Sequence, residues 1–198
     1  QMRVLVACEE SQTVTKAFRA AGHEAYSCDL QECSGGHPEW HIVGDAKHLA
    51  YSGVWDMMIA HPPCTYLSNA GARWLYPKGE LNYNRVAKGL TAKEFFMDLW
   101  EAPIEKICIE NPTPSKIFGL PEHSQVIQPF EYGHPYKKRT LLWLKGLEQL
   151  EPTNIVDVAQ STKVAGNWFN KGGKERQKNR SKTFEGIADA MAQQWGKA

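Results

Sequence analysis

Met57-Met58-Ile59-Ala60-His61-Pro62-Pro63-Cys64-Thr65 is the stretch that decides the fold. An apolar run of strand length stops at two prolines, which cannot donate to a hydrogen-bonded ladder. Cys64 therefore stands just past a strand end, at the start of a loop. In open α/β sheets, ligands bind beyond the carboxyl ends of the strands. A cysteine at that edge is a candidate nucleophile.

Working back toward the amino terminus, residues 3–8 read as a short buried strand. Glu9, Glu10 and Ser11 break it, and Ser11 is placed to cap a helix over about residues 12–21 that Gly22 ends. Residues 24–28 read as the next strand, closed by Asp29. Strand, helix and strand at this spacing make a βαβ unit, hence a parallel sheet. Such units carry nucleotide-like cofactors at the first turn, with an acid at the end of the second strand to grip ribose hydroxyls. Asp29 stands in that place; a solvated strand-end aspartate is the alternative. Residues 41–43 read as a third strand ending in Gly44-Asp45. Asp45 suits either an adenine amino group or the cap of a helix at 46–51. Cys28, Cys33, His37 and His41 are metal-ligand types, but a zinc site needs four of them converging on one point. Cys28 would lie inside a strand, and the spacing matches no common zinc module, so no metal is expected.

Toward the carboxyl terminus, residues 55–60 form the fourth strand. Residues 65–90 lack clear periodicity and read as a long lid beginning at the candidate nucleophile. A helix is expected from Thr91 to about 101, with Phe95, Phe96, Leu99 and Trp100 as core. Residues 106–109 are a fifth strand that Glu110-Asn111-Pro112 ends, echoing the arrangement at Cys64. A carboxylate and a cysteine at neighbouring strand ends can face each other across the top of the sheet. A short helix is expected after Ser115, strand-like residues within 124–132, and a further strand at 140–144 preceded by Lys137-Lys138-Arg139. That basic triplet is either a solvated hairpin edge or an anion clamp. Between 171 and 182, Lys171, Lys174, Arg176, Lys178, Arg180 and Lys182 oppose only Glu175. In a chain of net charge +1 this is a concentrated basic segment, either a phosphate-binding footprint or a solvated loop. Residues 184–195 read as a terminal helix with Ile187, Ala188 and Met191 as its apolar stripe.

With 198 residues, 42% hydrophobic and 23% charged, the chain is expected to form one domain over 1–198. Five irregularly spaced cysteines argue against a disulfide framework and for a reducing compartment. No run is long and apolar enough to span a bilayer, and no signal-peptide pattern stands at the start, so a cytoplasmic protein with no membrane partner is expected.

Taken in order, these pieces resemble the DNA cytosine-5 methyltransferases. Pro62-Pro63-Cys64 resembles that family's proline-cysteine nucleophile motif, and Glu110-Asn111-Pro112 its Glu-Asn-Val motif. Lys137-Lys138-Arg139 resembles its Gln-x-Arg-x-Arg motif, with Arg139 at the last arginine, Lys137 at the first and Pro135 at the glutamine. The resemblance implies an α/β fold with a Rossmann-like class I methyltransferase sheet and flanking helices. It implies S-adenosylmethionine as cofactor, with Ala7, Glu9, Ser11, Asp29, Asp45 and Pro62 as contacts. It implies Cys64, Glu110 and Arg139 as catalytic residues. DNA is the implied partner, held by Lys137, Lys174, Arg176, Lys178 and Arg180.

Two departures stand out. The family's first turn is glycine-rich; here it reads Ala7-Cys8-Glu9-Glu10-Ser11-Gln12. The family inserts a target-recognition domain before the last helix; here only about residues 146–182 lie there. Low sequence specificity, single-stranded DNA, a protein partner that supplies specificity, or a non-DNA pyrimidine would each accommodate that loss. Small proteins of this kind resemble those of bacteriophages and prophages.

The chemistry implied is covalent. Cys64 would add to carbon 6 of cytosine, making carbon 5 nucleophilic toward a methyl donor. Glu110, protonated through burial, would hold the N3 and amino edge of the base. The alternatives are an inactive methyltransferase shell that binds nucleic acid or protein, and an enzyme that modifies free pyrimidine nucleotides at carbon 5.

Overall fold

The computed structural model describes residues 1–158 and 182–197. Seven strands form one sheet: β1 (Arg3–Ala7), β2 (Glu24–Asp29), β3 (His41–Val43), β4 (Met57–Ala60), β5 (Lys106–Asn111), β6 (Gln125–Ile127) and β7 (Thr140–Lys145). Their spatial order is β3-β2-β1-β4-β5-β7-β6. The first five run parallel, and β7 runs antiparallel to both β5 and β6. This is the Rossmann-like α/β class expected from the sequence, with an antiparallel strand entered between β5 and β6.

The described α-helices are α1 (Thr13–Ala20), α2 (Ala46–Ala50), α3 (Tyr83–Trp100) and α4 (Glu185–Trp195). Successive strand side chains point to opposite faces, so each strand feeds two cores. On one face Val4, Val6, Met57, Ile59 and Leu142 pack with Phe18 of α1 and Ile187, Met191 and Trp195 of α4. On the other Leu5, Met58, Ile107, Ile109 and Trp143 pack with Phe96 and Leu99 of α3 and the alanines of α2. Each fully buried aliphatic of this kind contributes about 1.5–3 kcal/mol. All four residues of β4 are buried, which is why its sequence is apolar without alternation.

Two expectations are corrected. The helix expected from Thr91 starts at Tyr83, capped by Asn82, whose Oδ1 accepts from the Arg85 amide at 3.2 Å. Its first half hides the helical signal because Gly89 sits there: a Cβ on that glycine would collide with the Phe118 ring. The unstructured lid expected over 65–90 is therefore shorter, and short 3₁₀ turns at Asn69–Trp74 and Pro77–Gly79 order part of it. The cap of α1 is also not Ser11. Glu9 supplies it: its carboxylate accepts from the Val14 amide (2.9 Å), the Thr15 amide (3.1 Å) and the Thr15 hydroxyl (2.9 Å). Ser11 instead bonds Thr13 through their hydroxyls.

Candidate active site

The register of β4 on β5 pairs Ala60 with Ile109, so Glu110, which β5 still holds in the sheet opposite Leu142 of β7, stands beside His61, just past the end of β4. Three residues further on, Cys64 opens a turn: its carbonyl accepts from the amides of Leu67 (3.1 Å) and Ser68 (2.9 Å). That turn is stitched to the segment after Glu110. Ser68 bridges Pro114, the Asn69 amide donates to the Thr113 carbonyl at 2.7 Å, and the Ser115 amide donates to Leu67 at 2.7 Å. Arg139, just ahead of β7, donates from Nε to the Thr113 hydroxyl at 3.3 Å. The Cys64 loop after β4, the carboxyl end of β5 that bears Glu110, and the segment ahead of β7 that bears Arg139 thus meet at one edge of the sheet. The prolines at 62, 63 and 112 explain why both strands stop there.

Cys64 is half-buried, as is Cys33. The other three thiols are held protonated. Burial, then Asp29 and Asp45, push Cys28 up to about 11. Burial, then Asp29, raises Cys8, and burial, then Glu110, raises Cys108 well above an ordinary thiol.

The charged centre of this edge is His61, to which the sequence pattern gives no role. Its Nδ1 lies 3.4 Å from Glu110 Oε2, and its Nε2 lies 3.7 Å from Glu9 Oε2. The side chains of His61 and Glu9 are 8% and 3% exposed, and that of Glu110 11%, so the three charges are shielded from water. Neither ring nitrogen has a hydrogen bond of good geometry among the described residues, so the link to each carboxylate is an ion-pair contact. Burial alone would lower the His61 pKa; Glu110 and then Glu9 outweigh it and raise it. Burial alone would raise Glu110; His61, then Lys138 and the Thr183 hydroxyl, hold it below the usual carboxylate range. Glu9 stays raised because burial dominates its His61 and amide contacts. A protonated Glu110 would require a raised pKa; in the free protein the His61 contact moves the Glu110 pKa the other way and raises that of His61. Thr183, just before α4, donates to Glu110 Oε2 at 3.4 Å and is a second contact that the sequence pattern did not flag. The Asn111 amide nitrogen beside it is buried without a partner among the described residues.

The turn after β1 differs in character. Cys8 and Gln12 take left-handed backbone conformations (φ 61° and 62°) that glycine would take at lower cost. Gln12 is held there by its side chain, which donates to His37 O (2.8 Å) and Ser27 Oγ (3.2 Å) and accepts from the His37 amide (3.0 Å). Gly35 crosses this turn so closely that a Cβ would fall 2.5 Å from the Ser11 carbonyl. Asp29 accepts from the Gln31 amide at 2.9 Å, and Asp45 caps α2 through the Lys47 amide at 2.9 Å. Both carboxylates also act on Cys8, which places their negative potential at the first turn.

Beyond Cys64, residues 66–90 interleave cations and aromatics. Arg85 lies 5.0 Å and Lys88 5.2 Å from the Tyr66 ring centre, and Arg73 lies 4.8 Å from that of Trp74. Trp74, Tyr76 and Tyr83 are 52%, 53% and 79% exposed, far more than aromatics that pack a core.

Of the residues expected at the site, Ala7, Glu9, Ser11, Asp29 and Asp45 lie at or beside the carboxyl ends of β1, β2 and β3. Pro62 is buried beside His61. Lys137 is exposed, while the charge of its neighbour Lys138 reaches Glu110 and His61. Lys174, Arg176, Lys178 and Arg180 lie outside the described residues. His41 is engaged by Ser27 Oγ (2.7 Å) and the Gln31 carbonyl (2.8 Å), and His37 stacks on Trp40. Two clefts of about 280 and 320 Å³ lie away from this edge, one lined by Arg3, Glu24 and Asp56, the other by Glu148, Glu151 and Gln194. Neither contains a residue of the expected site. No helix among the described residues is long and apolar enough to cross a membrane.

No family model matches the chain, and no curated protein matches it. Among solved structures, one provisionally described as a DNA modification methyltransferase encoded within an E. coli prophage is similar at 11% identity, with a TM-score of 0.47. The match covers 79% of this chain and 52% of that one, so the chain spans about half the length of that protein.

Proposed function

We propose that the protein is an S-adenosylmethionine-dependent methyltransferase acting on carbon 5 of cytosine in nucleic acid, through a covalent Cys64 adduct. The observation that carries this reading is the stitching of the Cys64 turn to the segment after Glu110, with Arg139 hydrogen-bonded to that segment at Thr113. A nucleophile, a carboxyl group and a guanidinium then border one edge of the sheet, where an α/β fold binds ligands.

The cofactor side is consistent with the same reading. A dinucleotide fold offers the first helix N-terminus to a pyrophosphate. Here Glu9 already occupies the amides of Val14 and Thr15, so a phosphate would meet a carboxylate. Asp29 and Asp45 make this end acidic, which suits ribose hydroxyls, an adenine amino group and a cationic donor. The residues present fit S-adenosylmethionine: Asp29 would hold the ribose, Asp45 the adenine amino group, and residues 7–11 the rest. When bound, that cofactor supplies an electrophilic methyl group.

On the base side, the Cys64 thiolate forms a bond to carbon 6 while Glu110 holds N3 and the amino edge. Electron density pushed through the ring leaves carbon 5 nucleophilic. After methyl transfer, loss of the carbon 5 proton and departure of the Cys64 sulfur restore the aromatic ring. Arg139 contributes positive charge beside the adduct. Within a duplex the base must leave the stack first. The exposed Trp74, Tyr76 and Tyr83, with Arg73, Arg85 and Lys88 among them, are a surface of the kind that holds unpaired strands by stacking and charge. That surface favours polymer over free nucleotide.

The test is incubation with methyl-labelled S-adenosylmethionine and unmodified DNA, or with dCMP, followed by nucleoside analysis. Label in 5-methyldeoxycytidine from DNA, lost with Cys64→Ala, is expected. Label on an exocyclic amine, or incorporation that persists in Cys64→Ala, overturns the mechanism; label in dCMP alone overturns the polymer substrate.

A further inference from the structure

We propose that His61 is the proton reservoir of the base site: it passes its Nδ1 proton to Glu110 when a pyrimidine enters, with Glu9 holding the opposite ring nitrogen. The proposal rests on the function inferred above and deepens it.

Three observations support it. First, the geometry is a buried line of carboxylate, imidazole and carboxylate, with contacts of 3.7 and 3.4 Å, built from the ends of three adjacent parallel strands. Buried ionisable groups are retained against a desolvation cost of several kcal/mol per ion, so a structural role alone is better served by apolar residues. Second, adding a thiolate to carbon 6 puts negative charge on the ring, and N3 needs a proton to accept it. Glu110 as an ion has none to give. His61 is the acid in contact with it. Third, the same ring faces Glu9, which caps α1 at the cofactor turn, so one side chain joins the two halves of the site.

The step balances. The sulfur–carbon 6 bond forms, the ring electron pair moves toward N3, Glu110 protonates N3, and His61 Nδ1 protonates Glu110. The carbon 5 proton then passes to water, its bonding pair re-forms the carbon 5–carbon 6 double bond, the sulfur leaves as thiolate, and the N3 proton returns through Glu110 to His61. Among the described residues, the groups that act on the pair are Glu9 beyond β1, the Cys108 thiol two residues before Glu110 on β5, Lys138 ahead of β7, and the neutral Thr183 hydroxyl ahead of α4.

Two measurements test it on the full chain without cofactor. In protein labelled with ¹³C at histidine Cε1, the resonance missing from His61→Gln is followed against pH. It should titrate above an ordinary histidine, and its midpoint should fall in Glu110→Gln and, by less, in Glu9→Gln. A His61 ring that is neutral across pH 5–8 in the unmodified protein overturns the proposal. In the second, release of tritium from [5-³H]cytosine in an oligonucleotide reports addition of Cys64 alone, because the carbon 5 it activates exchanges hydrogen with water. His61→Gln should move the alkaline limb of this exchange toward lower pH, because the raised His61 pKa no longer sets it. Equal loss at every pH would mean that His61 only supports the structure, which also overturns the proposal. Absence of exchange in the unmodified protein would overturn the inferred function instead, leaving the ring titration to decide the state of His61.

Discussion

Glu9 and Glu110 flank the same imidazole from adjoining parts of one sheet edge, yet their surroundings push them in opposite directions. Glu9 belongs to the turn after β1, and its oxygens are taken up by two helix amides and a hydroxyl. Burial dominates there, and its pKa rises. Glu110 belongs to the end of β5, where it meets His61, Lys138 and Thr183, and its pKa falls. The β1 side satisfies its polar groups within the chain and keeps them local. The β5 side places two ionisable groups in contact, His61 and Glu110 at 3.4 Å, where the proposal above puts a shared proton. Under the proposed function, that difference separates a half that binds cofactor from a half that reacts.

The largest expected effect breaks this contrast on the reacting side. Glu110→Gln should lower the methyl-transfer rate by about 10²–10⁴-fold, the range for losing a positioned acid, with cofactor affinity unchanged by calorimetry. Equal loss of rate and cofactor binding would mean that the two halves are one. Asp29→Asn keeps the acceptor for the Gln31 amide but removes the charge. It should weaken cofactor binding by about 1.5–3 kcal/mol, the worth of a charged hydrogen bond, and leave oligonucleotide binding intact. Trp74→Ala should do the converse, weakening single-strand binding by about 1–3 kcal/mol in fluorescence-anisotropy titrations. Glu9→Gln should cost about 0.5–2 kcal/mol of stability in urea unfolding through the weakened helix cap, and change the rate less than Glu110→Gln does.

The pH dependence of stability sharpens the same comparison. The His61 pKa is raised on folding, so its contribution is complete below about 6.5, the ordinary histidine value, and is lost as pH rises through the folded value. The Glu110 pKa is lowered, so its contribution is present above about 4.3 and is lost as pH falls through the folded value. Urea midpoints should therefore be highest between these limits, and His61→Gln should flatten the alkaline side.

Much of this was legible in the chain because proline and strand patterning are local signals. Pro62 and Pro112 end their strands for want of an amide hydrogen, and six of the seven strands were visible with ends displaced by no more than two residues, while β6 showed only as strand-like residues within 124–132. What stayed hidden depends on contacts between distant segments. The first half of α3 was obscured by Gly89, whose missing side chain matters only because Phe118 lies against it. The turn after β1 lacks glycine because Gln12 is pinned in its left-handed conformation from the 31–41 loop. His61 could not be assigned because its partners come from two other strands, and only the register of β1, β4 and β5 brings them together.

The most direct measurement of the central claim is covalent capture. An oligonucleotide bearing 5-fluorocytosine cannot lose a proton from carbon 5, so the adduct should persist once methyl transfer has occurred. The account predicts a denaturation-stable complex, formed with S-adenosylmethionine, whose peptide mass spectrum places the nucleotide on Cys64. A protein that methylates DNA yet forms no such complex, or that still forms it in Cys64→Ala, would contradict it.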